Sequence, residues 1–400
     1  MKEIIILGGG FAGVSAAVGL QKKLKNEANI TLIDKNPYHL FTPSLYEVAT
    51  SEENKKNIAI PLSEILNKSV KIIKGVVETI DKDNRLVSLK DKTNYSYDFL
   101  IIALGSESSY FGIEGLRENS LALKNLEEAV SIRKKIEETY HNKVKNGKKM
   151  EIVVGGGGFS GTELTAELIE YRQRLSNHHK LPLDKVNITV IQGSERLLKE
   201  LSQKDSVLAQ KRLEKNKVNI ILNAHIKKVD EKNVETDTNA KYPYDVLIWT
   251  GGVRASNILE KSGFKVNGRG QVAVDDKLQV LNSSNIFAVG DISEFADPLT
   301  NKPVPGVAEV AEDEGLVAAA NVNAIIASKE LTSYNFKHTG YIIPLSGKYA
   351  IADLSFIKVS GFLGWILQQM VFLYYLLKIM SIVKAFKRWN KFEMYLMQNS

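Results

Sequence analysis

The distribution of apolar and polar residues predicts buried strands that alternate with helices. Residues 3–7 form a short, almost continuous apolar run, which is typical of a strand buried in a parallel sheet. Residues 14–24 then have apolar side chains at helical spacing, and residues 30–33 form a second apolar run. The same order of strand, glycine-rich loop, helix and strand begins again at residue 151. Strands and helices in this alternation predict an α/β fold with parallel sheets.

The loop after the first strand matches the pattern G-x-G-x-x-G with Gly8, Gly10 and Gly13. These glycines allow a tight turn, close approach of the backbone to a pyrophosphate, and close packing of helix on strand. Asp34 ends the second strand, where a carboxylate accepts hydrogen bonds from a ribose diol. The segment therefore predicts a dinucleotide site, and the alternative is a glycine-rich turn that binds nothing.

The second glycine-rich loop repeats the pattern with Gly156, Gly158 and Gly161. Its following strand, residues 187–191, ends at Gln192 and not at an acid. A neutral amide does not repel the 2′-phosphate of NADP, so a strict preference for NADH is not predicted. The alternative is that Gln192 binds the ribose diol as an amide and NADH is the usual donor. Two such fingerprints in one chain predict two bound dinucleotides.

Three strands end in small or acidic residues at the edge where ligands bind in open α/β sheets. Residues 97–106 and 244–252 are near copies of each other, and a third strand ends in Gly290 and Asp291. Asp291 is predicted to hold a ribityl hydroxyl, or alternatively to cap the following turn. Asp291 would belong to the first nucleotide unit, yet it lies beyond the second glycine loop along the chain. The first unit is therefore predicted to be interrupted by the second. We predict one domain from residues 1–115 and 260–328, a second from 116–259, and a C-terminal module from 329–400.

Seven segments carry a family resemblance: IILGGGFAG at 5–13, NPYHLFTPSLYEVAT at 36–50, VVGGGGFSGTELTAEL at 153–168, IWTGGVRAS at 248–256, IFAVGD at 286–291, VAEVAEDEG at 307–315 and SGFLGW at 360–365. Over nearly its whole length the chain resembles the two-dinucleotide flavoprotein reductases (the pyridine nucleotide-disulfide reductase-like superfamily). It most closely resembles the type II NADH:quinone oxidoreductases, which are single-subunit enzymes that pump no protons. The resemblance implies two Rossmann-like domains, the FAD domain interrupted by the NAD domain, and a C-terminal membrane-associating helical module.

The resemblance also implies which residues bind each cofactor. For FAD they are Gly8, Gly10, Phe11, Ala12, Gly13, Asp34, Lys35, Thr42, Val77, Ala103, Gly105, Gly290, Asp291 and Ala308. For NAD(H) they are Gly156, Gly158, Phe159, Gly161, Gln192 and Gly251.

Two glutamates are the candidate catalytic residues. Glu163 is placed in the first turn of the helix after the second loop, where the resemblance implies that it faces nicotinamide and flavin and positions the ring or relays a proton. Alternatively, it is there only because the helix dipole favours an acid. Glu309 begins the helix expected to point at the flavin, where backbone N–H groups would stabilise negative charge on reduced flavin. The family usually has a quinone-lining Gln at this point, so Glu309 carries protons, or the acceptor differs, or the acid is simply solvated.

His39 lies in a proline- and aromatic-rich loop near the expected flavin ring. We interpret it as a surface histidine and assign it no firm catalytic role. Thr42 and Pro43 of the same loop are expected to touch the flavin.

Composition narrows the chemistry. The 400 residues include no cysteine, which excludes disulfides, thiolate metal sites and every mechanism that stores electrons on a dithiol. No metal site is predicted. The formal net charge of +7 suggests anionic partners or serves solubility alone. The N-terminal apolar run is too short for a signal peptide, so we expect the protein on the cytoplasmic face of the cell membrane.

The C-terminal segment predicts attachment to a membrane surface. Residues 360–379 are apolar but interrupted by Gln368 and Gln369, so a full span is not predicted. Residues 381–397 then place apolar residues at helical spacing among basic ones: Val383, Phe386, Trp389, Phe392 and Leu396 with Lys384, Lys387, Arg388 and Lys391. A basic, aromatic amphipathic helix suits an anionic membrane, with Trp365 and Trp389 as interface anchors. The alternative is a helix pair buried within a domain or dimer interface.

These observations favour a peripheral membrane enzyme that passes electrons from NADH through FAD to a membrane quinone in a ping-pong cycle. By resemblance we expect a homodimer, and no nucleic-acid partner is expected. One alternative is a related reductase with a different acceptor, although sulfide:quinone reductases use cysteines and ferredoxin or rubredoxin reductases lack the apolar basic tail. The other is an NADH-sensing flavoprotein.

Overall fold

This computed structural model describes residues 1–24, 27–50, 57–298, 300–337 and 339–399, and for residues 393 and 395–399 it describes the backbone alone. The side chain of Leu396, which was predicted to continue the apolar stripe, therefore lies outside the described residues.

The strands, in chain order, are β1 Lys2–Leu7, β2 Ala28–Asp34, β3 Tyr38–Leu40, β4 Ala59–Pro61, β5 Val70–Lys74, β6 Val77–Asp81, β7 Leu86–Leu89, β8 Asn94–Ser96, β9 Phe99–Ile102, β10 Ser106–Ser108, β11 Leu121–Ala122, β12 Met150–Gly155, β13 Val186–Ile191, β14 Val218–Ile221, β15 Ile226–Val229, β16 Asn233–Thr236, β17 Lys241–Pro243, β18 Val246–Trp249, β19 Val253–Ala255, β20 Val272–Ala273, β21 Ile286–Ala288, β22 Ser293–Glu294, β23 Gly340–Pro344, β24 Ala350–Leu354 and β25 Ile357–Gly361.

The α-helices are α1 Phe11–Leu24, α2 Leu45–Thr50, α3 Leu62–Ile65, α4 Leu116–Asn119, α5 Leu126–Lys143, α6 Phe159–His179, α7 Gln203–Lys215, α8 Ile258–Lys261, α9 Ala308–Ile326, α10 Phe362–Ile379 and α11 Ile382–Asn399. Short 3₁₀ turns cover Thr42–Ser44, Val144–Asn146, Leu183–Lys185 and Gly290–Ile292.

The first parallel sheet has the order β21-β9-β1-β2-β5, so its strands come from two distant parts of the chain. β1 lies in the middle of this sheet, and its residues Ile4–Leu7 are buried, which explains the near-continuous apolar run. α1 and α9 pack closely on one another: a Cβ on Gly315 would lie 2.2 Å from the carbonyl oxygen of Ala12. The contact brings the helix after the first glycine loop against the helix after β21.

The second parallel sheet has the order β11-β18-β12-β13-β14, with β12, the strand before the second glycine loop, in the central place. α5 flanks it and begins with a capping box, in which the Asn125 side chain accepts from the Glu128 N–H and Glu128 accepts from the Asn125 N–H. β10 pairs with β19 and so links the two units. The predicted α/β fold with parallel sheets is confirmed, and the exact domain boundaries stay a prediction.

The C-terminal segment forms an antiparallel sheet of the order β23-β24-β25, followed by α10 and α11. α10 packs on this sheet, on α11 and on α1. The C-terminal helices therefore lie against the first nucleotide unit.

Candidate dinucleotide and electron-transfer site

The first glycine loop joins β1 to α1 and leaves one face open. Gly8 has a φ of +104°, and a Cβ there would lie 2.1 Å from the carbonyl oxygen of Ala103. A Cβ on Gly13 would lie 1.9 Å from the Gly8 carbonyl oxygen. A Cβ on Gly10, in contrast, would have no described protein atom within 4 Å. Gly8 and Gly13 are thus required by the turn and by packing, whereas the space beside Gly10 is free for a ligand.

The second glycine loop, between β12 and α6, repeats this geometry. Gly156 has a φ of +106°, and a Cβ on it would lie 2.8 Å from the Cα of Gly251. A Cβ on Gly161 would lie 1.9 Å from the Gly156 carbonyl oxygen, and one on Gly158 would meet nothing within 4 Å. Phe159 begins α6, with Gly158 as its N-cap, so free N–H groups at the helix start adjoin the open space.

The residue that ends the second strand of each unit holds the glycine loop. One Asp34 carboxylate oxygen accepts from the Gly9 N–H at 2.6 Å, and burial raises the pKa of Asp34. In the second unit the Gln192 side-chain oxygen accepts from the Gly157 N–H at 2.8 Å, and its amide nitrogen donates to Ser194 Oγ at 2.5 Å. The two units thus differ in charge at this equivalent point.

The carboxyl edge of the first sheet gathers further predicted residues. Ala103 continues β9 and donates its N–H to the Leu7 carbonyl at 2.8 Å, and Gly105 follows with a φ of +64°. Gly290 and Asp291 follow β21, where the Asp291 carboxylate accepts from the Ser106 hydroxyl. Lys124 Nζ, from the second unit, lies 3.5 Å from Asp291. Asp291 lies within its turn and is not an N-cap.

A cavity of about 420 Å³ opens at this edge, and Ser106, Gly290, Asp291, Gly306 and Val307 line part of it. It joins the start of α9 to the strand ends, so ligand-sized space is present where the sequence predicts the flavin side of FAD.

Three predicted FAD residues lie in different surroundings. Lys35 and Thr42 are exposed, after β2 and at the start of a 3₁₀ turn. The Val77 side chain is buried in the core, so only its backbone is available to a ligand. The chain just before Val77 lies against the end of β2, because the Gly75 N–H donates to the Asp34 carbonyl at 2.8 Å.

Helix α9 begins at Ala308 and brings acidic side chains to the site. Glu309 is partly buried and accepts from the Thr339 hydroxyl, so it is not simply solvated. Glu312 is buried, and Lys378 of α10 donates to it at 2.9 Å. Burial raises the pKa of Glu312 despite this pairing.

Sequence reasoning missed Glu314, which accepts from the Gly290 N–H at 2.6 Å. Burial raises the pKa of Glu314 to about 7, so its charge state changes near neutral pH. The available signal was its place at the end of three consecutive acids, Glu312, Asp313 and Glu314, in an otherwise mostly apolar helix.

The position of Glu163 in its helix corrects the prediction. Because Gly158 is the N-cap and Phe159 the first helical residue, Glu163 lies in the second turn of α6 and not in the first. The helix dipole argument for its placement is therefore wrong. Its side chain keeps some solvent contact. The protein atoms packed around it nevertheless remove most of its hydration, and this burial raises the pKa of Glu163 to about 8. A carboxyl group that is protonated at neutral pH is able to donate a proton.

One turn further along α6, Glu167 pairs with Arg174 at 3.0 Å, and burial raises the pKa of Glu167. Tyr46 of α2 is buried nearby, and the charges of Glu163 and Glu167 add to the burial that raises its pKa. Gln368 of α10 lies 3.5 Å from the Tyr46 hydroxyl. This polar group thus extends from α6 to the C-terminal helix.

His39 also corrects the prediction, because it is fully buried on β3 and is not a surface group. Its ring lies 3.0 Å from the Gly9 carbonyl oxygen and 2.8 Å from the Tyr375 hydroxyl of α10. Burial lowers the pKa of His39 to about 4. Pro43 is exposed beside Thr42.

The C-terminal helices divide the predicted apolar stripe between core and surface. Phe392 is buried, and the indole N–H of partly buried Trp389 donates to the Gln369 carbonyl at 3.2 Å. Val383 and Phe386 are exposed. Trp389 therefore contributes to helix packing.

Two of the basic residues bind back to the protein: Lys384 donates to the Glu64 carbonyl, and Arg388 pairs with the Glu64 carboxylate at 2.7 Å. Among the described helices, α10 is long and apolar enough to cross a membrane, and a third of it is buried against protein.

Comparison with known proteins agrees with this geometry. The sequence profile of the family described as pyridine nucleotide-disulphide oxidoreductase matches residues 2–315. Proteins named type II NADH:quinone oxidoreductase from Staphylococcus haemolyticus and Staphylococcus aureus are each 28% identical over 396 residues, covering 97% of this chain and 98% of the relative.

Solved structures are similar over most of the chain. NDH2 from Plasmodium falciparum in complex with NADH matches with a TM-score of 0.87 at 20% identity, covering 98% of both chains. The sulfide:quinone oxidoreductase from Aquifex aeolicus matches with a TM-score of 0.79 at 22% identity, covering 95% of this chain and 91% of the other. At these identities the likeness shows a shared fold.

Proposed function

Because the chain belongs to the pyridine nucleotide-disulphide oxidoreductase family, we propose that it is a flavoprotein that transfers electrons from NADH through FAD to a quinone. The observation that carries this proposal is the duplicated glycine loop, in which Gly10 and Gly158 each leave room for a phosphate. Two such loops in one chain match a reaction between two dinucleotides. The quinone as acceptor is supported by the relatives named type II NADH:quinone oxidoreductase, which align along nearly the whole chain.

The first unit fits FAD. The N–H groups at the start of α1 and the open face of Gly10 suit the pyrophosphate, and Asp34 suits the adenosine ribose. Asp291 faces the cavity at the strand ends and suits a ribityl hydroxyl. The start of α9 supplies backbone N–H groups that stabilise negative charge beside Val307 and Ala308. When bound there, FAD supplies the ring that accepts a hydride and passes electrons on.

The second unit fits NAD(H), with Gly158 facing the phosphates and Gln192 beside the ribose. Lys124 and the pairing of β10 with β19 hold the two units together, which keeps two dinucleotides in a fixed relation. The residues of the chain orient the two cofactors and exclude water from them. The cofactors supply the redox chemistry.

On the acceptor side we propose that Glu163 holds a proton for the quinone. Its carboxyl group is protonated at neutral pH, because burial raises its pKa to about 8. Glu309, at the start of α9, is proposed to line the acceptor pocket, where it accepts a hydrogen bond from the Thr339 hydroxyl. The role of Glu163 is supported by its closeness to Tyr46, which Gln368 of α10 approaches, and that of Glu309 by its place at the start of α9.

We further propose peripheral attachment to the cytoplasmic face of a membrane as a homodimer. Attachment is supported by exposed apolar residues on α10 and α11, among them Leu363, Ile366, Ile382 and Val383. Co-sedimentation with anionic vesicles and mass measurement in mild detergent test the two statements separately.

A different acceptor is the second candidate function. The observation that favours it is Glu309, which stands where the family usually has Gln. A carboxylate changes the hydrogen bonding offered to a quinone carbonyl, because an ionised acid only accepts.

The test is an anaerobic titration of the purified protein. NADH is added while the flavin absorbance is recorded, and a soluble quinone follows. We expect bleaching by NADH and rapid recovery with quinone. Bleaching without recovery would retain the NADH-reducible flavoprotein and exclude quinone as acceptor. Protein that binds no FAD would refute the assignment.

The matched variants for this titration are Glu163→Gln and the exposed Glu138→Gln. We expect Glu163→Gln to slow the recovery with quinone and Glu138→Gln to leave it unchanged. Equal recovery in the two variants would remove Glu163 from the mechanism.

A further inference from the structure

His39 connects the first glycine loop to the C-terminal helix. The ring is fully buried, with Nδ1 3.0 Å from the Gly9 carbonyl oxygen and Nε2 2.8 Å from the Tyr375 hydroxyl. Phe11 packs edge-on against the His39 ring at 4.9 Å, and the Phe11 and Tyr375 rings lie 5.0 Å apart. Three parts of the chain that are far apart in sequence therefore meet behind the loop.

The partners of His39 determine its tautomer. A carbonyl oxygen only accepts, so Nδ1 must carry the proton and donate to Gly9. Burial lowers the pKa of His39 to about 4, so the ring is neutral and Nε2 accepts the hydrogen bond from the Tyr375 hydroxyl. The opposite tautomer would direct two lone pairs at each other across the Gly9 contact. Tyr375 thus favours the ring state that binds Gly9.

The hydrogen bond to Gly9 orients the next peptide N–H group. The Gly9 carbonyl and the Gly10 N–H belong to one peptide unit, which is trans, so the two groups point in opposite directions. No described residue accepts from the Gly10 N–H, and the space beside Gly10 is open. Glycine peptides rotate easily because both residues lack a Cβ. Rotation of this peptide would turn a carbonyl oxygen toward the phosphate space.

We propose that Tyr375 of α10 acts as a positioning residue, which through His39 holds the Gly9–Gly10 peptide with its N–H directed at the FAD pyrophosphate. This inference rests on the proposed function, because it requires FAD in the first unit. It gives the C-terminal helix a role in cofactor retention in addition to membrane attachment. Lys378, one turn further along α10, pairs with Glu312 of α9 and holds the helix in the same place.

The test compares FAD release from holoenzyme variants. Tyr375→Phe keeps the ring and removes the hydroxyl, and Tyr374→Phe makes the same change at the exposed neighbour. We expect FAD to leave Tyr375→Phe about fivefold to tenfold faster than wild type, as fits the loss of one buried hydrogen bond. We also expect the ³¹P resonances of the bound pyrophosphate to shift in this variant. Tyr374→Phe should match wild type in both, and thermal unfolding verifies that each variant is folded.

Substitutions of His39 separate positioning from general stability. The side-chain amide of Asn places an N–H near the position of Nδ1, so His39→Asn should retain FAD and make the further change Tyr375→Phe ineffective. His39→Phe, which lacks both hydrogen bonds, should release FAD as fast as Tyr375→Phe, and it serves as the second probe if that variant does not fold.

Three results would overturn the proposal: wild-type release from Tyr375→Phe, faster release with unchanged ³¹P resonances, or an undiminished effect of Tyr375→Phe in the His39→Asn background. A wild-type protein without FAD would instead contradict the proposed function itself, so the two failures are distinguishable.

Discussion

Replacement of Glu163 by Gln tests the central carboxyl group through stability as well as activity. Burial raises the pKa of Glu163 from 4.5 to about 8, a difference that corresponds to about 5 kcal/mol. Because part of the side chain contacts solvent, we expect roughly half of this, about 2–3 kcal/mol. Below pH 4.5 the acid is protonated in both states and contributes no penalty. As the pH rises toward 8, only the unfolded state ionises, so the folded protein loses stability.

The Glu163→Gln variant should not lose stability as the pH rises, because its amide is neutral at every pH, like the protonated acid. We therefore expect the variant to match wild type near pH 4 and to be about 2–3 kcal/mol more stable at pH 9. Urea unfolding of the holoenzyme at both pH values measures this, with the exposed Glu138→Gln as the control for charge. Quinone reduction by wild type should fall as the pH passes about 8, and the variant should lack that decrease. Equal unfolding curves for wild type and Glu163→Gln at pH 9 would refute the burial argument.

Other changes test the cofactor loops and the C-terminal contact. Gly10→Ala should fold normally but lose bound FAD, because its Cβ meets only the phosphate space. Gly13→Ala should instead unfold at lower temperature, because its Cβ would lie 1.9 Å from a carbonyl oxygen. Flavin absorbance and thermal unfolding distinguish the two. Lys378→Met should lower the free energy of unfolding by about 2–4 kcal/mol, because it leaves Glu312 buried without its ion pair. Adding Glu312→Gln should restore part of the lost stability, as measured by thermal unfolding. Gln192→Glu should lower the ratio of kcat/KM for NADPH to that for NADH about tenfold, since it places a carboxylate near the 2′-phosphate; an unchanged ratio would remove this residue from nucleotide selection.

The parallel sheets and both glycine loops could be predicted because their signals are local. A buried parallel strand needs an apolar run, and the loop needs glycine where a Cβ would meet backbone atoms, as at Gly13 and Gly161. The interrupted order of the two units followed from the position of Asp291 along the chain. Each of these features depends on a few neighbouring residues.

The errors concern contacts between distant segments or the exact start of a helix. His39 was interpreted as a surface residue because nothing near it in sequence indicates that Tyr375 covers it. Glu163 was placed one turn too early because the helix begins within the glycine motif at Phe159. The partnership of Glu312 with Lys378 depends on the docking of α10, which a hydrophobicity pattern does not specify.

Helix α10 buries apolar residues such as Phe372 and Leu376 against the protein, and it also exposes apolar residues on its outer face. Gln368, Tyr375 and Lys378 reach polar partners in the rest of the chain, whereas Leu363 and Met370 are exposed. The outer face differs from that of a helix on the surface of a soluble domain, which directs charged residues toward solvent. The inward polar contacts fix the helix in one rotation, and that rotation directs its apolar side chains outward. Since Tyr375 is also the residue proposed to order the glycine loop, the contacts that direct the apolar face outward are those proposed to complete the cofactor site.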